Sequence, residues 1–381
     1  MKIAIINKTA GGISGGHEKY LYNVIPRLAM KPQVESVLCA TPKSVNNPEL
    51  FNELKNFNFI NCQPFQFLHH KVEPELELQL ERFSPGVILI PLGRYIKFKK
   101  VPTIIMVRNA IPLVYFPFEY SFKDKLKVLA QRIEIKIAIK RADKTIAVSN
   151  FVKDFLIKKW GILEEQITVI YHGHDLFNLK GQKPNLISEN WKGKFLFTAG
   201  STQPYRGLED ILLAMKYLEF QDIKIKGLVI AGEVYPKMFS YQNRLKNWIQ
   251  NQTLSSKVCW AGKLNEKEMA WCYKNCAAFV MSSRVEACPN IALEAMSYGC
   301  ISISSNNPPL PEIFSDAAIY YPPKNSKRLT EIILSINEWD NNQRREASKR
   351  ARKQAAKFSW DITVDKLLIE FNKAIEKKVL G

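Results

Sequence analysis

Short β-branched runs alternate with longer amphipathic stretches along this chain, which is the pattern of a parallel sheet covered by helices on both faces. The first series comprises Ile3 to Ile6, Val34 to Cys39, Val87 to Ile90, Thr103 to Val107, Lys144 to Val148 and Ile167 to Tyr171. His172-Gly173-His174-Asp175 and the polar stretch Lys180 to Asn185 then interrupt the pattern and read as a linker. A second series follows at Lys194 to Gly200, Lys226 to Gly232, Val258 to Trp260, Ala278 to Val280 and Ile301 to Ile303. At 381 residues the chain exceeds one hydrophobic core, so two α/β domains are expected, with ligands at the carboxyl ends of the strands.

Several function classes drop out early. No run approaches the roughly 20 apolar residues that span a bilayer, and the apolar start Met1 to Asn7 is too short for a signal segment and reads as a first buried strand. The seven cysteines are scattered, with no Cys-x-x-Cys pair, and an odd count argues against a disulfide framework; a reducing cytoplasm fits best. There is no Asp-x-Asp to hold a divalent metal beside a diphosphate and no His-Glu-x-x-His among the five histidines.

The net charge of +19 calls for an anionic partner: nucleic acid, a membrane surface or an anionic substrate. No nucleic-acid module interleaves aromatics with the charges, which disfavours the first. Between 123 and 144, eight basic residues from Lys123 to Lys144 accompany Leu126, Leu129, Ile133 and Ile137 at helical spacing. Two readings stand for this basic helix: peripheral contact with an anionic membrane, or a packed helix with a solvated basic face. A second basic run, Arg344 to Lys357, reads as a solvated helical face.

Three segments carry candidate chemistry. Gly11 to Glu18 follows the first strand and lets backbone approach a ligand closely, without the spacing of a dinucleotide site or a P-loop. Gly200-Ser201-Thr202-Gln203-Pro204-Tyr205-Arg206-Gly207 ends a strand and precedes a helix from Leu208, where Arg206 can fork onto phosphate oxygens. The third segment runs from Ser282 to Gly299 and sets Glu286 and Glu294 eight positions apart. Pro289 suits a helix's first turn, which puts Glu286 in a loop, Glu294 in the helix, and the free N–H groups of Asn290 and Ile291 between them. A helix N-terminus with a carboxylate on either side can hold an anion through its amides while the carboxylates accept hydrogen bonds from hydroxyls. The same spacing also arises from two unrelated glutamates.

Together these residues resemble the retaining, metal-independent GT-B glycosyltransferases of glycosyltransferase family 4. The resemblance runs along almost the whole chain: Gly15-Gly16-His17-Glu18, Val148-Ser149-Asn150, the stretch Val169 to Phe177, Gly200 with Arg206-Gly207, the Glu-x7-Glu segment with its Cys-Pro-Asn variant, and Phe358-Ser359-Trp360-Asp361. It implies two Rossmann-like domains with parallel sheets facing each other across a cleft. These are an acceptor-side domain at 1–178, completed by a terminal helix at 359–381, and a nucleotide-sugar domain at 190–358. It further implies that Glu286 faces the donor sugar, Glu294 takes the ribose hydroxyls and Arg206 meets the diphosphate. Asn290 and Ile291 would offer amides to the sugar and phosphate, and Gly15 and Gly16 would approach the diphosphate.

Two departures from the family pattern stand out. Ser201 replaces an arginine that usually shares the phosphate charge, and Arg108 or Asn109 occupies the region where many relatives carry a histidine. His172 in place of the linker asparagine is a smaller change. The expected partners are a nucleotide sugar and a glycan or glycolipid acceptor, with no metal and no other cofactor. The setting is cell-surface polysaccharide synthesis in the cytoplasm or at the inner face of the plasma membrane. A nucleotide-sugar epimerase and a non-catalytic scaffold of the same fold remain open at this stage.

Overall fold

The computed structural model describes residues 1–9, 16–42, 51, 54–98, 101–114, 121–175, 179–219 and 221–380. The chain divides into two compact units, one of Met1–Gly173 with Trp360–Gly381, the other of His174–Ser359.

The first unit holds a seven-stranded parallel sheet among its described residues: β1 Lys2–Ile6, β2 Ser36–Thr41, β3 Phe57–Asn61, β4 Val87–Ile90, β5 Thr103–Val107, β6 Lys144–Ala147 and β7 Ile167–Val169, in the order β3-β2-β1-β4-β5-β6-β7. Every residue of β4 and β5 is buried, as expected of strands covered on both faces. The terminal helix Trp360–Leu380 belongs to this unit, where Val364, Leu367, Leu368 and Phe371 are buried and Asp361 lies 3.3 Å from Arg27.

The second unit carries six parallel strands among its described residues: β8 Phe195–Ala199, β9 Gly227–Ala231, β10 Val258–Gly262, β11 Ala278–Met281, β12 Ser302–Ser305 and β13 Ala318–Tyr321, in the order β10-β9-β8-β11-β12-β13. In both sheets the order reverses beside the first strand, between β1 and β4 and between β8 and β11. The loops leaving neighbouring strands part at such a point and open a crevice at their carboxyl ends.

Two strands escape the sequence reading. β3, Phe-Asn-Phe-Ile-Asn, lies at the sheet edge, pairs only with β2 and is mostly half-exposed, so it has no continuous apolar run. β13 is the corresponding case in the second unit, a four-residue edge strand of which only Tyr321 is buried.

The basic helix also differs from expectation. It runs Phe122–Arg141 and stops there, because the backbone turns extended at Ala142, with ψ 147°, while Lys144 opens β6. Leu126, Leu129 and Ile133 do not form its buried face; Val128, Ile135, Ala138 and Ile139 do. No helix among the described residues is long and apolar enough to cross a membrane.

Candidate active site

The loops leaving β8 and β11 meet at the reversal point of the second sheet. Gly200 and Gly232, at φ 123° and 138°, bring the ends of β8 and β9 so close that a Cβ on Gly232 would lie 1.9 Å from Gly200 O. The β8 loop then makes a single 3₁₀ turn, Pro204–Arg206, before the helix Leu208–Tyr217. Arg206 thus precedes that helix instead of standing within it. Gly207 joins the two in the left-handed region, where a Cβ would meet Ser282 O at 2.5 Å.

Arg206 reaches across to the β11 loop, residues 282–289. Its Nη1 pairs with Glu286 Oε1 and donates to Ser283 Oγ at 3.4 Å. Ser282 Oγ donates to Arg206 O at 2.7 Å, and Arg284 N to Tyr205 O at 2.7 Å. Burial opposes the Arg206 charge, but the Glu286 carboxylate and then Tyr205 and Tyr235 outweigh it, so its pKa lies above the ordinary value. Arg206 Nε is buried and has no partner among the described residues.

Past Glu286 comes the helix Asn290–Ser297, with Pro289 as its N-cap. Proline is therefore one position earlier than the first-turn site its fixed φ suggests, since its ψ of 113° is still extended. The two ends of this helix are treated differently. At the C-terminus, Tyr298 N donates to Glu294 O at 3.1 Å and Arg352 Nη2 to Tyr298 O at 3.2 Å. At the N-terminus no side chain caps, and Asn290 Oδ1 is buried without a partner among the described residues. The first amides, those of Asn290 and Ile291, are left to an outside acceptor. One turn on, Glu294 Oε2 accepts from Tyr273 OH at 3.0 Å, and the Tyr273 ring stacks on Tyr298 with centroids 5.5 Å apart. Burial, with Glu294 second, pushes the Tyr273 pKa well up and keeps it a neutral donor.

Ser201 lies in the same loop as Arg206 and accepts from Gln203 Nε2 at 3.1 Å. A second cation is close, since a Cβ on Gly207 would lie 3.6 Å from Arg284 Cζ. Its Nη2 is held by Asp210 Oδ1 at 2.9 Å. Asp210 and Tyr273 were not singled out from the sequence. Asp210 carried a signal, a charged residue among the apolar ones of the helix Leu208–Tyr217; Tyr273 carried none, being one more aromatic on the inner face of the helix Glu266–Asn275.

In the first unit, Gly16 opens the helix Gly16–Ala29, while Gly15 lies outside the described residues. Arg108 follows β5 and sits over the Tyr20 ring of that helix at 5.4 Å. Asn109 is exposed and its Oδ1 accepts from Ile111 N at 3.0 Å, so it shapes a turn. His172 is buried against Tyr20 and Trp360, with centroids 5.5 and 6.1 Å away. Burial, then the Arg108 charge, lowers its pKa well below the usual value. The unfolded chain binds this proton and the folded one does not, so stability is complete above about pH 6.5 and falls as the pH drops below it. His172→Phe is expected to flatten that acid loss in urea titrations; an unchanged slope contradicts it.

Residues 180–354 match the family model of glycosyl transferases group 1, and residues 14–176 that of glycosyltransferase family 4. The chain belongs to the family 4 glycosyltransferases. It is 24% identical over 263 residues to the O-antigen chain mannosyltransferase RfbU of Salmonella typhimurium, covering 68% of each protein. It is 23% identical over 316 residues to an uncharacterized glycosyltransferase of Methanocaldococcus jannaschii, 81% of this chain and 77% of that one. The crystal structure of HepE from Anabaena with UDP and glucose superposes with a TM-score of 0.73 at 17% identity, over 98% of this glycosyltransferase and 100% of that chain. The shared fold is GT-B.

Proposed function

We propose that this glycosyltransferase moves a sugar from a nucleoside diphosphate sugar to a hydroxyl of a glycan or glycolipid, with retention of configuration and without a metal ion, in cell-surface polysaccharide synthesis. The observation that carries the reading is the Arg206–Glu286 pair beside the uncapped start of the helix Asn290–Ser297. A leaving diphosphate needs fixed positive charge and donors where its own charge develops. Arg206, the amides of Asn290 and Ile291 and the helix dipole supply both. The Glu286 carboxylate accepts hydrogen bonds from hydroxyls of the transferred sugar. Glu294, held by Tyr273, accepts from the ribose. Ser201 adds a neutral hydroxyl to the phosphate loop. The similarity to RfbU supports mannose as the first sugar to test, and the UDP bound to HepE supports a nucleoside diphosphate as the carrier.

A thermal-shift screen against UDP-, GDP- and ADP-sugars tests the donor, because a ligand bound only by the folded state raises the midpoint. No rise with any of them overturns the donor assignment. NMR of the product settles the stereochemistry: an anomer inverted relative to the donor overturns retention, and turnover lost in EDTA overturns metal independence. Glu294→Ala is expected to weaken nucleotide binding about 10- to 100-fold, the worth of hydrogen bonds to a charged group, with a smaller effect on kcat. Titration calorimetry with the free nucleoside diphosphate measures it.

A further inference from the structure

The helix Phe122–Arg141 has two apolar faces. One packs inward through Val128, Ile135, Ala138 and Ile139, and Glu134 on that side is buried in an ion pair with Arg94 at 3.3 Å. The other points outward: Phe122, Leu126, Leu129 and Ile133 are 74%, 50%, 44% and 43% exposed. Their spacing of i, i+4, i+7 and i+11 places them in one stripe, about 16 Å long at 1.5 Å per residue. Single exposed apolar residues are ordinary on a protein surface, but a continuous stripe marks a contact surface.

The setting of the stripe identifies its partner. Lys123, Lys127, Lys136 and Lys140 are exposed along the same helix. Of its two acidic residues, Glu134 is buried and Asp124 accepts at the helix start from Ser121 Oγ at 2.7 Å. Next to the stripe runs a groove lined by Leu113, Phe155 and Trp160, and the Lys136 ammonium lies 5.1 Å from the Trp160 ring centre. Apolar side chains flanked by lysines, with a tryptophan at the margin, match the layering of a bilayer surface: acyl chains below, anionic headgroups at the level of the ammonium groups, and indole between them. We infer that this stripe seats the first unit on an anionic phospholipid bilayer, Phe122, Leu126, Leu129 and Ile133 entering the acyl boundary and the flanking lysines lying on the headgroups.

Flotation of the full chain with vesicles tests the inference. The protein is expected to float with phosphatidylglycerol–phosphatidylethanolamine vesicles and far less with phosphatidylcholine alone. The triple variant Leu126→Ser, Leu129→Ser, Ile133→Ser is expected to lower the partition coefficient at least about tenfold, because three inserted side chains are lost. Lys136→Glu with Lys140→Glu should also weaken binding and reduce its salt dependence. Unchanged thermal midpoints and donor-induced shifts show that the variants fold, as substitutions of exposed residues should. Flotation of the triple variant equal to that of the parent overturns the inference, since a protein of charge +19 would then be adsorbing through charge alone. Failure of the parent to float overturns it as well, and self-association through the stripe in sedimentation velocity would make the face a protein interface instead.

Discussion

Arg206→Ala is expected to lower kcat/KM by about 10²- to 10³-fold, the usual cost of removing one donor aimed at developing negative charge. The loss should fall mainly on kcat, because that charge grows in the transition state. The substitution also strips Glu286 of its cation, and the two side chains retain only 18% and 11% exposure. Breaking such a pair from one side therefore costs stability as well as activity. Adding Glu286→Ala removes the unpaired carboxylate, so the double variant should regain stability over the single one while staying inactive. Lysine at 206 keeps the charge but loses the fork and should recover only part of the rate. Initial rates with the best donor, run beside urea denaturation, separate the two effects. Near-normal kcat/KM in Arg206→Ala would remove this residue from the site.

The largest loss of stability is expected from Asp210→Ala. With 4% of its side chain exposed, Asp210 accepts from Arg284 Nη2 and Lys324 N, both at 2.9 Å, and from Tyr321 OH at 3.4 Å. Alanine leaves a guanidinium, an amide and a phenol without their shared acceptor. Removing one partner of a buried ion pair costs about 3–5 kcal/mol, and the transition of the second unit should fall by about 10 °C. Asp210→Asn keeps an acceptor without the charge and should lie between. Activity should decline too, because Arg284 N also holds Tyr205 O, next to Arg206. A thermal midpoint within about a degree of the parent would show that Asp210 does not hold these loops together.

The legible parts of this fold are those with a local cause. β4, β5 and β8 are central strands, fully buried and mostly apolar, and each stands out as such. β3 does not, because none of its residues at the sheet edge is fully buried and two asparagines break its apolar run. The helix Phe122–Arg141 shows the limit most plainly. Its apolar period is plain in the sequence, but two apolar faces share the helix, and the period cannot say which of them packs. For the site, Gly200 to Gly207 and the segment from Ser282 are recognisable separately, each as a loop between a strand and a helix. Tyr273 and Asp210 are not recognisable, since their roles depend on partners 21 and 74 positions away.

The amino-acid sequence by itself determined that this chain forms two α/β units, that Glu294 lies inside a helix and Glu286 before it, and that the chain resembles family 4 glycosyltransferases. Those properties follow from hydrophobic period, helix propensity and motif spacing, which act over a few residues at a time. Only the tertiary structure decided that Arg206 closes onto Glu286, 80 positions on, that Asp210 takes Arg284, and that Leu126, Leu129 and Ile133 face outward. Strand order puts β8 beside β11 and so brings their loops together, and packing spends one apolar face of a helix on the core while leaving the other in solvent.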